Sequence, residues 1–155
     1  MSAAPQAPSQ VRCLTLADLP QVMLIERAAY EYPWSEGIFR DCLRVGYKCF
    51  VATDLSDNVL GYALLSVAAG EAHILNLCVH PEHRRAGVAQ LLLHNLERVA
   101  HRYNAESLML EVRPSNRAAI ALYYNSGFER VGLRRRYYPS ATGREDALLL
   151  SKVLI

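Results

Sequence analysis

Residues 87–103 form the longest stretch of the chain that keeps a helical period. Val88, Leu91, Leu92, Leu96, Val99 and Tyr103 share one face, and Gln90, His94, Glu97 and His101 lie opposite. Asn95 is the one polar residue on the apolar side. Extended patterns flank this helix, Glu71–Val79 before it and residues 108–112 after it. A strand-helix-strand order, continued by a further helix and strand over residues 115–138, predicts locally parallel pairing. That unit is the frame on which the rest of the chain must be built.

The other segments extend the same sheet. Residues 14–16 end a short first strand. Asp18 opens a helix with Leu19, Val22, Ile25 and Ala29 on one face. Ser35 reads as the N-cap of a second helix, with Ile38, Phe39 and Leu43 inward and Gly46 as its stop. Pro33-Trp34 lies between these helices. Residues 47–53 and 59–67 flank Ser56-Asp57-Asn58, which reads as a hairpin turn and predicts antiparallel pairing. Ser115 caps a helix running to Asn125, with Gly127 at its C′ position. Residues 128–138 and 145–154 complete the sheet. The expected order is β-α-α-β-β-β-α-β-α-β-β, an α/β chain of the mixed-sheet (α+β) kind with helices on both faces.

Composition excludes several classes. The 155 residues suit one domain, read as residues 11–155 behind a flexible tail, residues 1–10. Hydrophobic residues at 52% and charged residues at 21% exclude the disordered class. Lys and Arg number 17 against 15 Asp and Glu, and a net charge of +2 argues against a nucleic-acid coat or a polybasic membrane anchor. No apolar run approaches the ~20 residues a membrane helix needs. Cys13, Cys42, Cys49 and Cys78 show no C-x-x-C spacing and no accompanying histidine set, so no metal is expected. The first ten residues carry neither a basic start nor an apolar core, and a cytoplasmic chain with reduced thiols is the expectation.

The chemistry concentrates in residues 77–89. A strand, Leu77-Cys78-Val79, runs into a loop with Arg84, Arg85 and Ala86, then into Gly87-Val88-Ala89-Gln90 at the start of the long helix. A helix N-terminus presents unsatisfied N–H groups and partial positive charge, which suits a pyrophosphate. Gly87 permits close backbone approach, and the two arginines offer charge-assisted contacts. The same residues also fit a solvated surface loop ahead of an amphipathic helix. Neither the P-loop pattern nor G-x-G-x-x-G occurs.

Arg84-x-x-Gly87-x-Ala89, preceded by Asn76-Leu77-Cys78-Val79, resembles the Q/R-x-x-G-x-G/A acyl-CoA signature of the GNAT acetyltransferases. Three further segments resemble one branch of them, the bacterial ribosomal-protein-alanine N-acetyltransferases. They are Tyr32-Pro33-Trp34-Ser35-Glu36, Leu110-Glu111-Val112-Arg113-x-Ser115-Asn116-x-x-Ala119-x-x-Leu122-Tyr123, and Arg135-Arg136-Tyr137-Tyr138-Pro139. The resemblance spans about residues 11–154. It implies a V-shaped opening between two parallel strands, with the pantetheine arm of acetyl-CoA against the backbone of Leu77, Cys78 and Val79. The loop from Arg85 to Gln90 would wrap the pyrophosphate, and Asn116 would touch the cofactor near its thioester. Ala89 stands where glycine is commoner, and Ala86 where a polar or basic residue is frequent.

Acyl transfer to an amine requires a neutral amine, a polarised carbonyl and a proton for the leaving thiolate. Strand alternation places Leu108, Leu110 and Val112 on one face and Met109, Glu111 and Arg113 on the other. Taken alone, Glu111 reads as a solvated or paired carboxylate and Tyr123 as a core tyrosine. The resemblance makes Glu111 the general base and Tyr123 the general acid. Trp34, Tyr137 and Tyr138 either wall the acceptor site or simply pack, and Arg134-Arg135-Arg136 reads as a solvated strand end. The implied acceptor is the N-terminal alanine of a small-subunit ribosomal protein, followed by a basic residue. Glu36, Asp41 and Glu111 are the acids expected near its positive charges. Direct contact with nucleic acid or membrane is not expected. Another amine (a lysine, a polyamine or an antibiotic) and a non-catalytic acyl-CoA binder are the competing readings; the second needs no acid-base pair.

Overall fold

The expected element order is the one observed. In the computed structural model, which describes residues 7–155, the elements are β1 (Gln10–Cys13), α1 (Leu19–Ala29), α2 (Glu36–Arg44), β2 (Lys48–Thr53), β3 (Val59–Ala68) and β4 (Glu71–Val79). They continue with α3 (Val88–Arg102), β5 (Ser107–Val112), α4 (Arg117–Asn125), β6 (Glu129–Ser140) and β7 (Gly143–Val153). One seven-stranded sheet carries them in the order β1-β2-β3-β4-β5-β7-β6. Among the described residues only the β4–β5 pair is parallel; the other neighbours are antiparallel. The helix between β5 and β6 does not yield a second parallel pair, because β7 inserts between those strands and bonds to both.

Two apolar layers sandwich the sheet. Leu19, Val22 and Ile25 of α1 and Phe39 and Cys42 of α2 pack with Val51, Tyr62 and Leu64 on one face. Leu92, Leu96 and Val99 of α3 and Tyr123 of α4 pack with Leu60, Leu108 and Leu110 on the other. The central strand β3 is buried continuously from Val59 to Leu65, as a strand covered on both faces must be. Each such Leu or Val stabilises the fold by about 1.5–3 kcal/mol. Gly61 sets the closeness of the second layer. A Cβ there would stand 2.7 Å from the Cys78 carbonyl oxygen and 3.2 Å from Val88 Cγ1, so only glycine lets α3 sit this near β3.

Several local expectations give way to tertiary packing. The first strand lies at Gln10–Cys13 rather than at residues 14–16, where Leu14 turns into the core and a short 3-10 turn, Leu16–Asp18, leads to α1. Ser9 donates its N–H to Thr53 O at 2.6 Å, so pairing reaches into the last residues of the expected tail; residues 1–6 lie outside the described residues. In α2 the inward residue is Cys42, and Ile38 is 41% exposed, because the buried face is centred on Phe39. In α3, Leu93 and Ala100 are buried in the places given to Leu91 and Tyr103, since the helix is covered by β4 and β2 as well as β3. The α4 N-cap is Asn116 rather than Ser115: Asn116 Oδ1 accepts the Ala119 N–H at 3.2 Å.

Candidate active site

The site begins where the sheet splits. The β4–β5 ladder runs from Glu71↔Ser107 to Ile74↔Leu110 and stops. At that point the β3–β4 register steps from Leu65↔Ile74 to Leu64↔Asn76, leaving Leu75 as an extra residue. A bulge bends its strand and increases the local twist, so β4 turns away from β5. The groove that opens measures about 550 Å³. Beyond Ile74 the β5-facing backbone groups of β4 lie outside the sheet ladder, while the β3 side remains paired as far as Gly61↔Val79. Such an edge is suited to the amides of a pantetheine arm.

Leu77, Glu111, Asn116, Tyr123, Trp34, Tyr137 and Tyr138 all line this one groove, although they come from five separate segments. The other sequence-predicted residues do not. Cys78 and Val79 face the two apolar layers, leaving only their backbone toward a ligand. Burial pushes the Cys78 thiol up to about 11, which makes it a poor nucleophile.

Arg84, Arg85, Ala86, Gly87, Val88, Ala89 and Gln90 lie past the C-terminal end of β4, at the mouth of α3. Gly87 is the α3 N-cap at φ +81°, no side chain caps the helix, and Arg85 also has positive φ at +67°. Left-handed residues in such a loop turn neighbouring N–H groups toward a common point, an anion-binding arrangement. Val88 is 1% exposed and offers only its backbone. This end fits the pyrophosphate of acetyl-CoA, and the split strand fits its arm.

Glu111 projects from β5 on the face opposite the buried Leu110 and Val112. Its side chain is 13% exposed and pairs with Arg134 Nη2 at 3.4 Å. The Tyr137 phenol is raised chiefly by its hydrogen bond to Glu111, and burial together with Glu111 raises that of Tyr138. The two rings meet edge-on at 4.8 Å. Tyr123, 6% exposed, is raised above the ordinary phenol range by burial, then by Tyr138 and Cys78. A raised phenol keeps its proton at neutral pH, as a general acid must.

Part of the site escaped the sequence. Arg134 is exposed, as expected, but it is also the ion partner of Glu111, and its guanidinium stacks over Tyr137 at 5.2 Å. The β6–β7 register jumps between Arg134 and Tyr138, and Arg136 sits at φ +53° with its N–H on Asp146 Oδ1 at 2.9 Å. This bulge brings Tyr137 and Tyr138 both to the groove. Glu36 and Asp41 pair instead with Arg40 and Arg44 on α2 and do not line the groove. The second groove acid is Glu26, buried at 1% exposure. Its signal was available: a carboxyl four residues after Val22, on the apolar face of α1. Among the described residues, no group of three or more His, Cys, Asp or Glu side chains gathers as a metal site, and no helix is long and apolar enough to cross a membrane.

A split parallel pair, an uncapped glycine-headed helix beside it and a carboxyl and a phenol, Glu111 and Tyr123, lining the cleft define an acyl-CoA-dependent N-acyltransferase fold. The chain belongs to the acetyltransferase (GNAT) family, whose profile matches residues 19–128. It is 37% identical over 141 residues to the [ribosomal protein bS18]-alanine N-acetyltransferase of Escherichia coli K12, an alignment covering 91% of this chain and 95% of that protein. It is 32% identical to an N-alpha-acetyltransferase of Sulfolobus acidocaldarius, covering 94% and 92% of the two chains. The crystal structure of the ribosomal-protein-S18-alanine N-acetyltransferase from Escherichia coli superposes with a TM-score of 0.86 at 36% identity, over 94% of this chain and 93% of that one.

Proposed function

We propose that this chain transfers the acetyl group of acetyl-CoA to the α-amine of the N-terminal alanine of a small-subunit ribosomal protein. Within this reading residues 11–155 are the catalytic domain, and the acceptor is met in the cytoplasm. The observation that carries the reading is the convergence of Glu111 and Tyr123 on the groove opened by the split of β4 from β5. The relatives named for N-terminal alanine and N-alpha acetylation support the choice of acceptor.

Acetyl-CoA supplies an activated acetyl thioester. The backbone of Leu77, Cys78 and Val79 holds its pantetheine arm in extended form. Backbone N–H groups at Gly87, Val88, Ala89 and Gln90, with Arg84, Arg85 and Ala86 in the same loop, hold its pyrophosphate. Asn116, whose Oδ1 is committed to the α4 cap, has its amide nitrogen as donor near the thioester. Trp34, Tyr137 and Tyr138 wall the acceptor channel. Glu111 takes the proton of the incoming ammonium, directly or through water, and Tyr123 returns a proton to the departing sulfur. The amine attacks directly, because the Cys78 thiol is buried and held protonated.

Amine chemistry agrees with an α-amine acceptor. Neutralising an α-amine at pH 7 costs about 1–1.4 kcal/mol, against about 4.6 kcal/mol for a lysine. A single carboxylate suits the smaller task. The test compares an Ala-Arg-starting peptide with a copy whose N-terminus is blocked and whose lysines are free, followed by mass mapping. Acetylation of the first alone is expected; equal rates on both refute α-amine specificity.

A further inference from the structure

Glu26 lines the groove, and the chemistry proposed above does not use it. Its carboxyl is an acceptor shared by three elements. Oε2 accepts the main-chain N–H of Trp34 at 2.9 Å. Oε1 accepts the Tyr62 hydroxyl of β3 at 2.5 Å and the Asn76 amide of β4 at 3.0 Å. Asn76 Oδ1 in turn accepts the Tyr30 hydroxyl at 3.3 Å. The Trp34 ring meets Phe39 at 5.3 Å, and Phe39 meets Tyr62 edge-on at 5.6 Å, so the loop is held by its ring and by its backbone.

We infer that Glu26 is a positioning residue for the acceptor: its two oxygens lock the α1–α2 loop, through Trp34, onto the groove floor formed by β3 and β4. The inference rests on the acetyl-transfer reading above. Residues 30–35 connect two helices and belong to neither, so the place of Trp34 is set by the side chains that reach it, the Phe39 ring of α2 and the Glu26 carboxyl of α1. A carboxyl group is suited to the task because three donors converge on it and it carries none of its own when ionised. An apolar side chain here would orphan the Trp34 N–H and the Asn76 amide together.

The test uses Glu26→Gln and Tyr62→Phe in the full chain. Glutamine keeps the volume and replaces one acceptor oxygen by a donor; the remaining oxygen keeps the two donors of Tyr62 and Asn76, so the Trp34 N–H is left facing the amide donor. Trp34 is the sole tryptophan, and its emission reports the loop without reference to catalysis. Glu26→Gln is expected to red-shift that emission and speed its quenching by acrylamide. It is also expected to raise the acceptor-peptide KM about tenfold, the scale of one orphaned hydrogen bond, with a smaller effect on kcat and none of that size on acetyl-CoA affinity. Tyr62→Phe leaves Oε2 on Trp34, and its emission should stay near that of the parent.

Three results overturn the inference. One is emission and KM both unmoved in Glu26→Gln. Another is equal emission shifts in the two variants, which marks general loosening of the core. The third is a fall in kcat of about a hundredfold or more without a KM change, which assigns Glu26 to proton transfer. The emission arm is independent of turnover. A parent enzyme inactive on the alanine peptide therefore refutes the acceptor reading while the tether is still decided.

Discussion

Gly87 allows backbone strain and ligand space to be separated by two substitutions at one position. It holds φ +81°, and a Cβ built there meets nothing within 4 Å. Gly87→Ala therefore carries no clash, only the left-handed penalty of about 1–2 kcal/mol for an L-residue. For a chain of this length that lowers Tm by roughly 2–8 °C, at about 2–4 °C per kcal/mol. Gly87→Glu carries the same strain, but its carboxylate sits at the positive end of α3, an interaction worth about 0.3–1 kcal/mol in its favour. Without ligand, the glutamate variant should be at least as stable as the alanine variant. With ligand the order reverses. A carboxylate about 5 Å from one phosphate charge meets about 3 kcal/mol of repulsion at an effective dielectric near 20, before salt screening. Acetyl-CoA affinity in Gly87→Glu should then fall at least about tenfold below that of Gly87→Ala, more at low salt than at high. Thermal unfolding and calorimetry on both variants check this. Equal acetyl-CoA affinities in two folded variants refute the placement of the pyrophosphate at the α3 N-terminus.

Glu111→Gln and Tyr123→Phe nearly preserve shape and should each lower turnover on the order of 10²–10⁴-fold while acetyl-CoA affinity holds; steady-state kinetics showing near-normal turnover returns either residue to a packing role. Cys78→Ala keeps the strand backbone and should reduce turnover less than about tenfold, whereas a covalent acyl-cysteine route demands a loss near a thousandfold. Asp18 is held below the ordinary carboxylate range, first by its hydrogen bonds from Arg12, at 2.8 Å to each oxygen. A depressed folded pKa gives stability that is full above the unfolded value, about 3.9, and lost as pH falls through the folded one. Asp18→Asn should thus lower Tm at pH 7 and converge with the parent in strong acid; a constant difference across pH contradicts the pairing.

Element order, the α3 boundaries and the β5 alternation were legible because each depends on local periodicity. Apolar residues every three to four positions, or every second one, survive any choice of sheet order. The Arg84-to-Ala89 signature and the Glu111-to-Tyr123 block were legible for a related reason, since chemistry at a helix N-terminus and across one strand-helix unit needs fixed spacing along the chain. The strand order was not. That β7 inserts between β5 and β6 follows from which edges remain open after β4–β5 pairing, and no local pattern encodes it. The α4 cap turned on one residue, Asn116 rather than Ser115, because both side chains can cap and only the path of the loop chooses.

The sequence by itself determined the elements and the spacing of residues 84–90, and its resemblance to the GNAT acetyltransferases singled out Glu111 and Tyr123 as the proposed base and acid. Tertiary structure decided where β4 leaves β5, at the bulge of Leu75, and so where a groove exists at all. It also decided that Arg134 meets Glu111 and that Glu26 gathers Trp34, Tyr62 and Asn76. These partners are 23 and 8–50 residues apart in the chain and are joined only when helix and sheet close on one another. The physical reason is that periodicity reports which face of an element is buried, whereas a buried carboxyl is defined by the donors that surround it, and those arrive from strands whose neighbours are chosen by the whole fold.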